Sequence, residues 1–144
     1  MESALSEARI AALAGEVPVG AVLVSPSGEI VARAANQTRQ LNDPTAHAEI
    51  LVIREACRAL KRERLNGFDL YVTLEPCPMC AAAISFARIE RLYYGASDPK
   101  SGAIEQGARL FTHPQTHHKP EIYPGIAEAE SACLLREFFQ PKRA

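Results

Sequence analysis

Asp69-Leu70-Tyr71-Val72-Thr73-Leu74-Glu75-Pro76-Cys77-Pro78-Met79-Cys80, running on through Ala81-Ala82-Ala83 to about Arg88, is the stretch that decides the fold. Residues 69–75 are rich in strand formers, and Pro76, which lacks an N–H, ends the run. An Ala-rich helix opens at the cysteine pair. Arg91-Leu92-Tyr93-Tyr94-Gly95 then reads as another short strand. The order strand, turn, helix, strand places the segment in an α/β domain.

Working outward toward the start, Ala46, Ile50, Ile53, Cys57 and Leu60 recur at steps of four, three, four and three, with Arg54, Arg58 and Lys61 off the stripe. That spacing predicts an amphipathic helix, and Cys57 on its apolar stripe reads as a packed small hydrophobe. Before it, Val17 to Val24 and Glu29 to Ala34 flank the turn Ser25-Pro26-Ser27-Gly28 and read as a β-hairpin. Residues 2–14 carry Leu5, Ala8, Ala11, Ala12 and Leu13 at helical spacing and stop at Gly15. Toward the other end, 96–120 is rich in Gly, His and Pro, Glu121-Ile122-Tyr123 forms a last short strand, and Ala129, Ala132, Leu135 and Phe139 mark a final helix packed through Phe138 and Phe139. The expectation is a single domain over residues 1–144, a three-layer α/β/α architecture around a mixed sheet with the hairpin at one edge.

Composition limits the function classes. The 144 residues include 16 Lys or Arg and 17 Asp or Glu, a formal charge of −1, and 47% are hydrophobic. A chain of this length buries about 68–70% of its unfolded surface and needs no disulfide framework. No apolar run approaches the roughly 18 residues of a membrane span, and Met1-Glu2-Ser3 lacks a basic signal-peptide start, so a cytoplasmic, membrane-free protein is expected. A net charge near zero removes any argument for nucleic-acid binding from composition. Four cysteines, Cys57, Cys77, Cys80 and Cys133, would suggest disulfides only in a small secreted chain.

The chemistry gathers at Thr45-Ala46-His47-Ala48-Glu49 and Pro76-Cys77-Pro78-Met79-Cys80, each at a predicted helix start. Cys77 and Cys80, three apart on a first turn, share a helix face, and the helix dipole with a cation favours their thiolates. His47 completes three ligands where a structural zinc site needs four. A zinc ion with an open position lowers the pKa of water from about 15.7 to about 7. Glu49, two residues after His47, points about 200° away on a regular helix, so it does not ligate the same ion and is free to carry protons. A lone C-x-x-C is equally a redox motif, and a three-ligand set can be an inert metal clip. The combination H-x-E…P-C-x-x-C is the pattern of zinc-dependent nucleobase deaminases.

On these motifs, together with Glu16-Val17-Pro18-Val19-Gly20-Ala21-Val22-Leu23-Val24, Asp43 to Glu49, Leu70 to Cys80 and the loop Asp98-Pro99-Lys100-Ser101-Gly102, the sequence resembles the bacterial tRNA-specific adenosine deaminases of the cytidine deaminase superfamily. The likeness covers nearly the whole chain. It implies a cytidine-deaminase-like domain holding one zinc ion through His47, Cys77 and Cys80, with Glu49 as acid and base. It implies that the amide of Asn36 holds a purine, that the backbone of Ala48 orients the ring, and that Asp98 lies near the flanking ribose. From the residues alone, Asn36 at a strand end and Asp98 before Pro99 are equally turn formers. The implied activity is hydrolytic conversion of the wobble adenosine of a tRNA anticodon to inosine, an RNA-editing step of tRNA processing, by a homodimer acting on the anticodon stem-loop.

Deaminases of free guanine or cytosine, or of deoxycytidylate, share the same zinc core and remain the alternative, and a zinc-bound scaffold without turnover is a third. Glu49 speaks against the scaffold. His113, His117 and His118 read as solvated loop residues, since no Cys completes a metal pairing with them. Lys119, Arg136, Lys142 and Arg143 form a basic end where a phosphate backbone could dock.

Overall fold

The computed structural model describes residues 1–140, so Lys142 and Arg143 of the basic end lie outside the described residues. The elements run α1 (Glu2–Leu13), β1 (Gly20–Val24), β2 (Ile30–Ala35), α2 (Ala48–Leu60), β3 (Asp69–Leu74), α3 (Pro78–Phe86), β4 (Arg91–Ala96), a 3₁₀ turn at Leu110–Thr112, β5 (Glu121–Tyr123) and α4 (Glu128–Phe139). The five strands form one sheet in the order β2-β1-β3-β4-β5. β1 pairs antiparallel with β2 and with β3, whereas β3, β4 and β5 are parallel. The sheet is therefore mixed and the hairpin sits at its edge, as the sequence predicts.

One face of the sheet carries α1 and α4, the other α2 and α3, which completes three layers. Leu70, Val72, Leu92 and Tyr94 project toward α2 and α3 and pack with Val52, Ala81, Ile84 and Ile89 in one buried cluster. Burying each of the Leu, Val and Ile side chains contributes about 1.5–3 kcal/mol. On the opposite face, Ala4, Leu5, Ala8 and Ala11 of α1 are buried. α1 lies so close to β1 that a Cβ on Gly20 would strike the Ala4 carbonyl and come within 2.5 Å of the Ala8 nitrogen, so glycine is required there by contact rather than by a turn.

Two helices depart from the burial the periodicity selects. In α2 the most deeply buried positions are Ala48, Val52 and Ala56; of the predicted stripe Ala46 and Ile50 are also buried, Ile53 and Cys57 are half-buried against the core, and only Leu60 is exposed. Small side chains let the helix approach the strands, and the bulkier stripe is left to the side. In α4 only Ser131 is buried, against Gly95 of β4, and Phe139 is 64% exposed instead of packed inside.

The register also brings the future site together. Because β1 runs against both neighbours, its start at Gly20 lies beside the end of β2 at Ala35 and near the end of β3. Val17 to Val19, Asn36 and Leu74 to Cys77 consequently meet at one rim of the sheet, where α2 and α3 both begin. No helix among the described residues is long and apolar enough to cross a membrane.

Candidate metal centre and base-binding cavity

His47 is the N-cap of α2, with extended backbone (φ −72°, ψ 152°), and Cys77 is the N-cap of α3 (φ −75°, ψ 173°). Pro78, fixed at the first helical position, starts α3 without wasting an N–H. Both helices thus direct the positive ends of their dipoles at one point. The Nδ1 atom of His47 is 3.6 Å from the Cys77 Sγ and 3.4 Å from the Cys80 Sγ, and all three ligand atoms lie within 4.8 Å of one another. A tetrahedral ion with Zn–S of about 2.3 Å and Zn–N of about 2.0 Å requires N and S to stand roughly 3.5 Å apart. The three side chains match that spacing.

Protons in the cluster are distributed in the same sense. A hydrogen bond from the Cys80 thiol, assisted by one from His47, holds the Cys77 thiol down at about 4 in spite of burial. The bond with Cys77, followed by burial, pushes the Cys80 thiol far up, so the pair keeps one proton and one thiolate. His47 is raised above its ordinary value, chiefly by its hydrogen bond with Cys77. Such a cluster gives up its remaining protons when a cation arrives.

Glu49 lies in the first turn of α2 and is 4% exposed. Among the described residues its carboxylate is not part of the metal-competent group. Burial pushes it up to about 7, against its own backbone N–H and the nearby His47, which favour the ionised form. Its carboxylate stands close enough to the cluster to interact with His47 and Cys77 and to hydrogen-bond with Cys80.

Beside the cluster opens a cavity of about 200 Å³, lined by Val17, Val19, Asn36, Thr38, His47, Ala48, Glu49, Leu74, Glu75, Cys77, Asp98 and Ser101. Asn36 follows directly on β2 and is buried; its Nδ2 reaches the Val17 carbonyl at 3.5 Å, and its buried Oδ1 has no partner. An orphaned acceptor in a cavity wall calls for a donor from outside the protein. Ala48 is fully buried in the same wall. Asp98 lines the cavity and also makes the turn that its sequence context suggests, its Oδ1 accepting from the Lys100 and Ser101 amides at 3.1 and 3.0 Å.

The sequence reading missed Val17, Val19, Thr38, Leu74, Glu75 and Ser101 as cavity residues. Two buried carboxylates could have signalled the walls. Glu16 accepts from the Arg39 and Gln40 amides at 3.1 and 2.8 Å and so ties down the segment after Asn36, and Glu75 binds the loop beyond β4. His118 departs from the solvated reading: it is half-buried, with its Nε2 2.6 Å from the Ile89 carbonyl and its own carbonyl accepting from Ser85. His113 and His117 are exposed.

Residues 1–96 match the family model for the cytidine and deoxycytidylate deaminase zinc-binding region. The chain belongs to that family, and its fold is the cytidine-deaminase-like fold. It is 66% identical over 143 residues to the tRNA-specific adenosine deaminase of Agrobacterium fabrum, covering 99% of this chain and 93% of that protein. To the tRNA-specific adenosine deaminase of Rickettsia bellii it is 48% identical over 144 residues, covering 99% of each. A solved structure from biochemical and structural studies of A-to-I editing by tRNA:A34 deaminases at the wobble position of transfer RNA superposes with a TM-score of 0.92 at 66% identity, covering 94% of this chain and 97% of that one. Zinc is the cofactor that the His/Cys/Cys group is positioned to bind.

Proposed function

We propose that residues 1–144 act as one zinc-dependent deaminase unit that converts adenosine to inosine at the wobble position of a tRNA anticodon. The observation that carries the reading is a cavity lined by Asn36, whose buried Oδ1 has no partner, together with His47 and Cys77 of the metal-competent group and the non-ligating Glu49. His47, Cys77 and Cys80 would hold one zinc ion per chain, which would supply an activated water at neutral pH. Glu49, buried next to the Cys80 thiol, takes a proton from that water and delivers one to N1 of the adenine ring as C6 is attacked. Glu49 then takes the proton of the new C6 hydroxyl and passes it to the amino group, so that the C6–N6 bond breaks, ammonia leaves and the C6 carbonyl of inosine forms. Asn36 holds the purine through its amide, the buried backbone at Ala48 orients the ring, and Asp98 stands toward the flanking ribose.

A base in a stacked duplex cannot enter such a cavity, so the nucleotide must be splayed from a single-stranded loop, as an anticodon loop permits. The cavity shares Val17, Leu74, Asp98 and Ser101 with a groove running to Leu135 and Phe139, and this opening favours a base that remains attached to its strand over a free base enclosed under a lid. With a net charge of −1, docking depends on local contacts, among them the basic residues at the chain end. The protein works as a homodimer in the cytoplasm; an exposed apolar surface at Phe86, 80% accessible and neighbouring Ile50 and Ile53, supports association. Mass analysis of tRNA incubated with the zinc-loaded protein tests the reading. Inosine at the first anticodon position is expected; unmodified adenosine there after prolonged incubation would refute it.

A further inference from the structure

Glu75 closes β3 just before the Pro76-Cys77 turn and is 2% exposed, yet among the described residues it makes no ion pair with a Lys or Arg. Its partners are five donors from one loop. Oε1 accepts from the Asp98 amide at 2.9 Å and the Ser97 hydroxyl at 3.2 Å; Oε2 accepts from the amides of Ile104, Glu105 and Gln106 at 3.1, 2.9 and 3.0 Å. Hydrogen bonds to an ionised acceptor are roughly twice as strong as neutral ones, and here both ends of the loop converge on one group. Asp98 and Ser101, which line the cavity, lie inside that wrap.

The loop is also shaped to the carboxylate. A Cβ on Gly102 would fall 2.6 Å from the Glu75 Cδ and 2.6 Å from the Asp98 carbonyl oxygen, so only glycine lets the chain pass this close. The Tyr94 hydroxyl donates to the Glu105 side chain and ties the far limb of the loop back to β4.

From this geometry we infer that Glu75 is a positioning residue for substrate: it holds the 97–106 loop in the form that presents Asp98 and Ser101 to the nucleotide, and so sets affinity without touching the reacting atoms. The inference rests on the reading of the cavity as a deaminase site. Glu75 holds a wall, and the metal cluster and Glu49 stand on α2 and α3, outside the loop. Loss of its carboxylate therefore loosens binding and spares the chemical step.

The test is Glu75→Gln in the zinc-loaded protein, which keeps size and turns one acceptor into a donor facing N–H groups. Amide hydrogen exchange across 97–106, read by mass spectrometry without substrate, is expected to accelerate by about tenfold or more while α3 stays protected. Zinc content is expected to be unchanged, with KM for an anticodon stem-loop rising about tenfold and kcat staying within about threefold of wild type. Wild-type exchange in the loop, or a fall in kcat with KM unchanged, overturns the inference. Gly102→Ala retains the carboxylate and displaces the loop, so the same exchange and KM signature is expected of it; wild-type behaviour of that variant also overturns the inference, and it decides the matter if Glu75→Gln does not fold. A wild-type protein inert toward the stem-loop would instead mark failure of the functional reading, a result separable from wild-type activity with unaffected variants.

Discussion

The His47 Nδ1 and the Cys80 Sγ stand 3.4 Å apart although 33 residues separate them along the chain. The contact exists because α2 and α3 both start at one rim of the sheet, and their N-caps, His47 and Cys77, face each other there. Metal affinity and tertiary structure are therefore joined at this point: an ion held by these residues fastens the starts of two helices that are distant along the chain.

Cys77→Ala is accordingly expected to lose zinc and some stability together, because the ion's binding energy is also folding energy. Metal analysis of the purified variant, with its thermal midpoint compared with that of metal-free wild type, provides the check. Full zinc occupancy in the variant would remove Cys77 from the ligand set.

Glu49→Ala is expected to behave in the opposite way. Its carboxylate stands outside the ligand group, so zinc and fold remain, while turnover falls by at least the roughly 10²–10⁴-fold that general acid–base catalysis contributes. Steady-state rates and zinc content measured on the same sample decide it: near-wild-type activity, or loss of the metal, contradicts the assignment.

Asn36→Ala separates binding from stability. In the substrate-free protein the Oδ1 atom is buried without a donor, an arrangement that costs about 1–3 kcal/mol. Its removal is expected to leave the urea midpoint unchanged or higher, and KM is expected to rise about tenfold for each 1.4 kcal/mol of lost hydrogen bonding. A lower midpoint with unaltered KM would show that Asn36 serves the turn alone.

Gly20→Ala tests the packing of α1 on β1. The new methyl group meets backbone atoms of Ala4 and Ala8 that cannot rotate away, so destabilisation of about 1–3 kcal/mol is expected. A urea midpoint equal to that of wild type would contradict the close approach.

The helices, the strands and the metal cluster were legible because each has a local signal. Residues 69–80 carry strand formers, a Pro stop and a C-x-x-C pair in twelve positions, and His47 precedes the start of α2 with Glu49 just inside it. Less legible was the face of α2 that would be buried: the helix has two apolar sides, and the smaller one, Ala48, Val52 and Ala56, packs against the sheet because it permits closer approach. Periodicity records apolar spacing but not the size of the gap to be filled. The cavity walls were least legible. Val17, Thr38, Leu74 and Ser101 lie far apart in sequence and meet through antiparallel register and through loops tied to Glu16 and Glu75, a long-range arrangement that leaves no periodic trace.

The most direct measurement offers the zinc-loaded protein an anticodon stem-loop with adenosine at the wobble position, alongside free adenosine, guanine, cytosine and deoxycytidylate, and follows ammonia and inosine. Contacts with the strand around the target base lower KM and so raise kcat/KM, so the stem-loop is expected to react efficiently and free adenosine very poorly. Efficient turnover of any of the small molecules with an inert stem-loop would contradict the assignment to tRNA while leaving the metal site and the role of Glu49 intact.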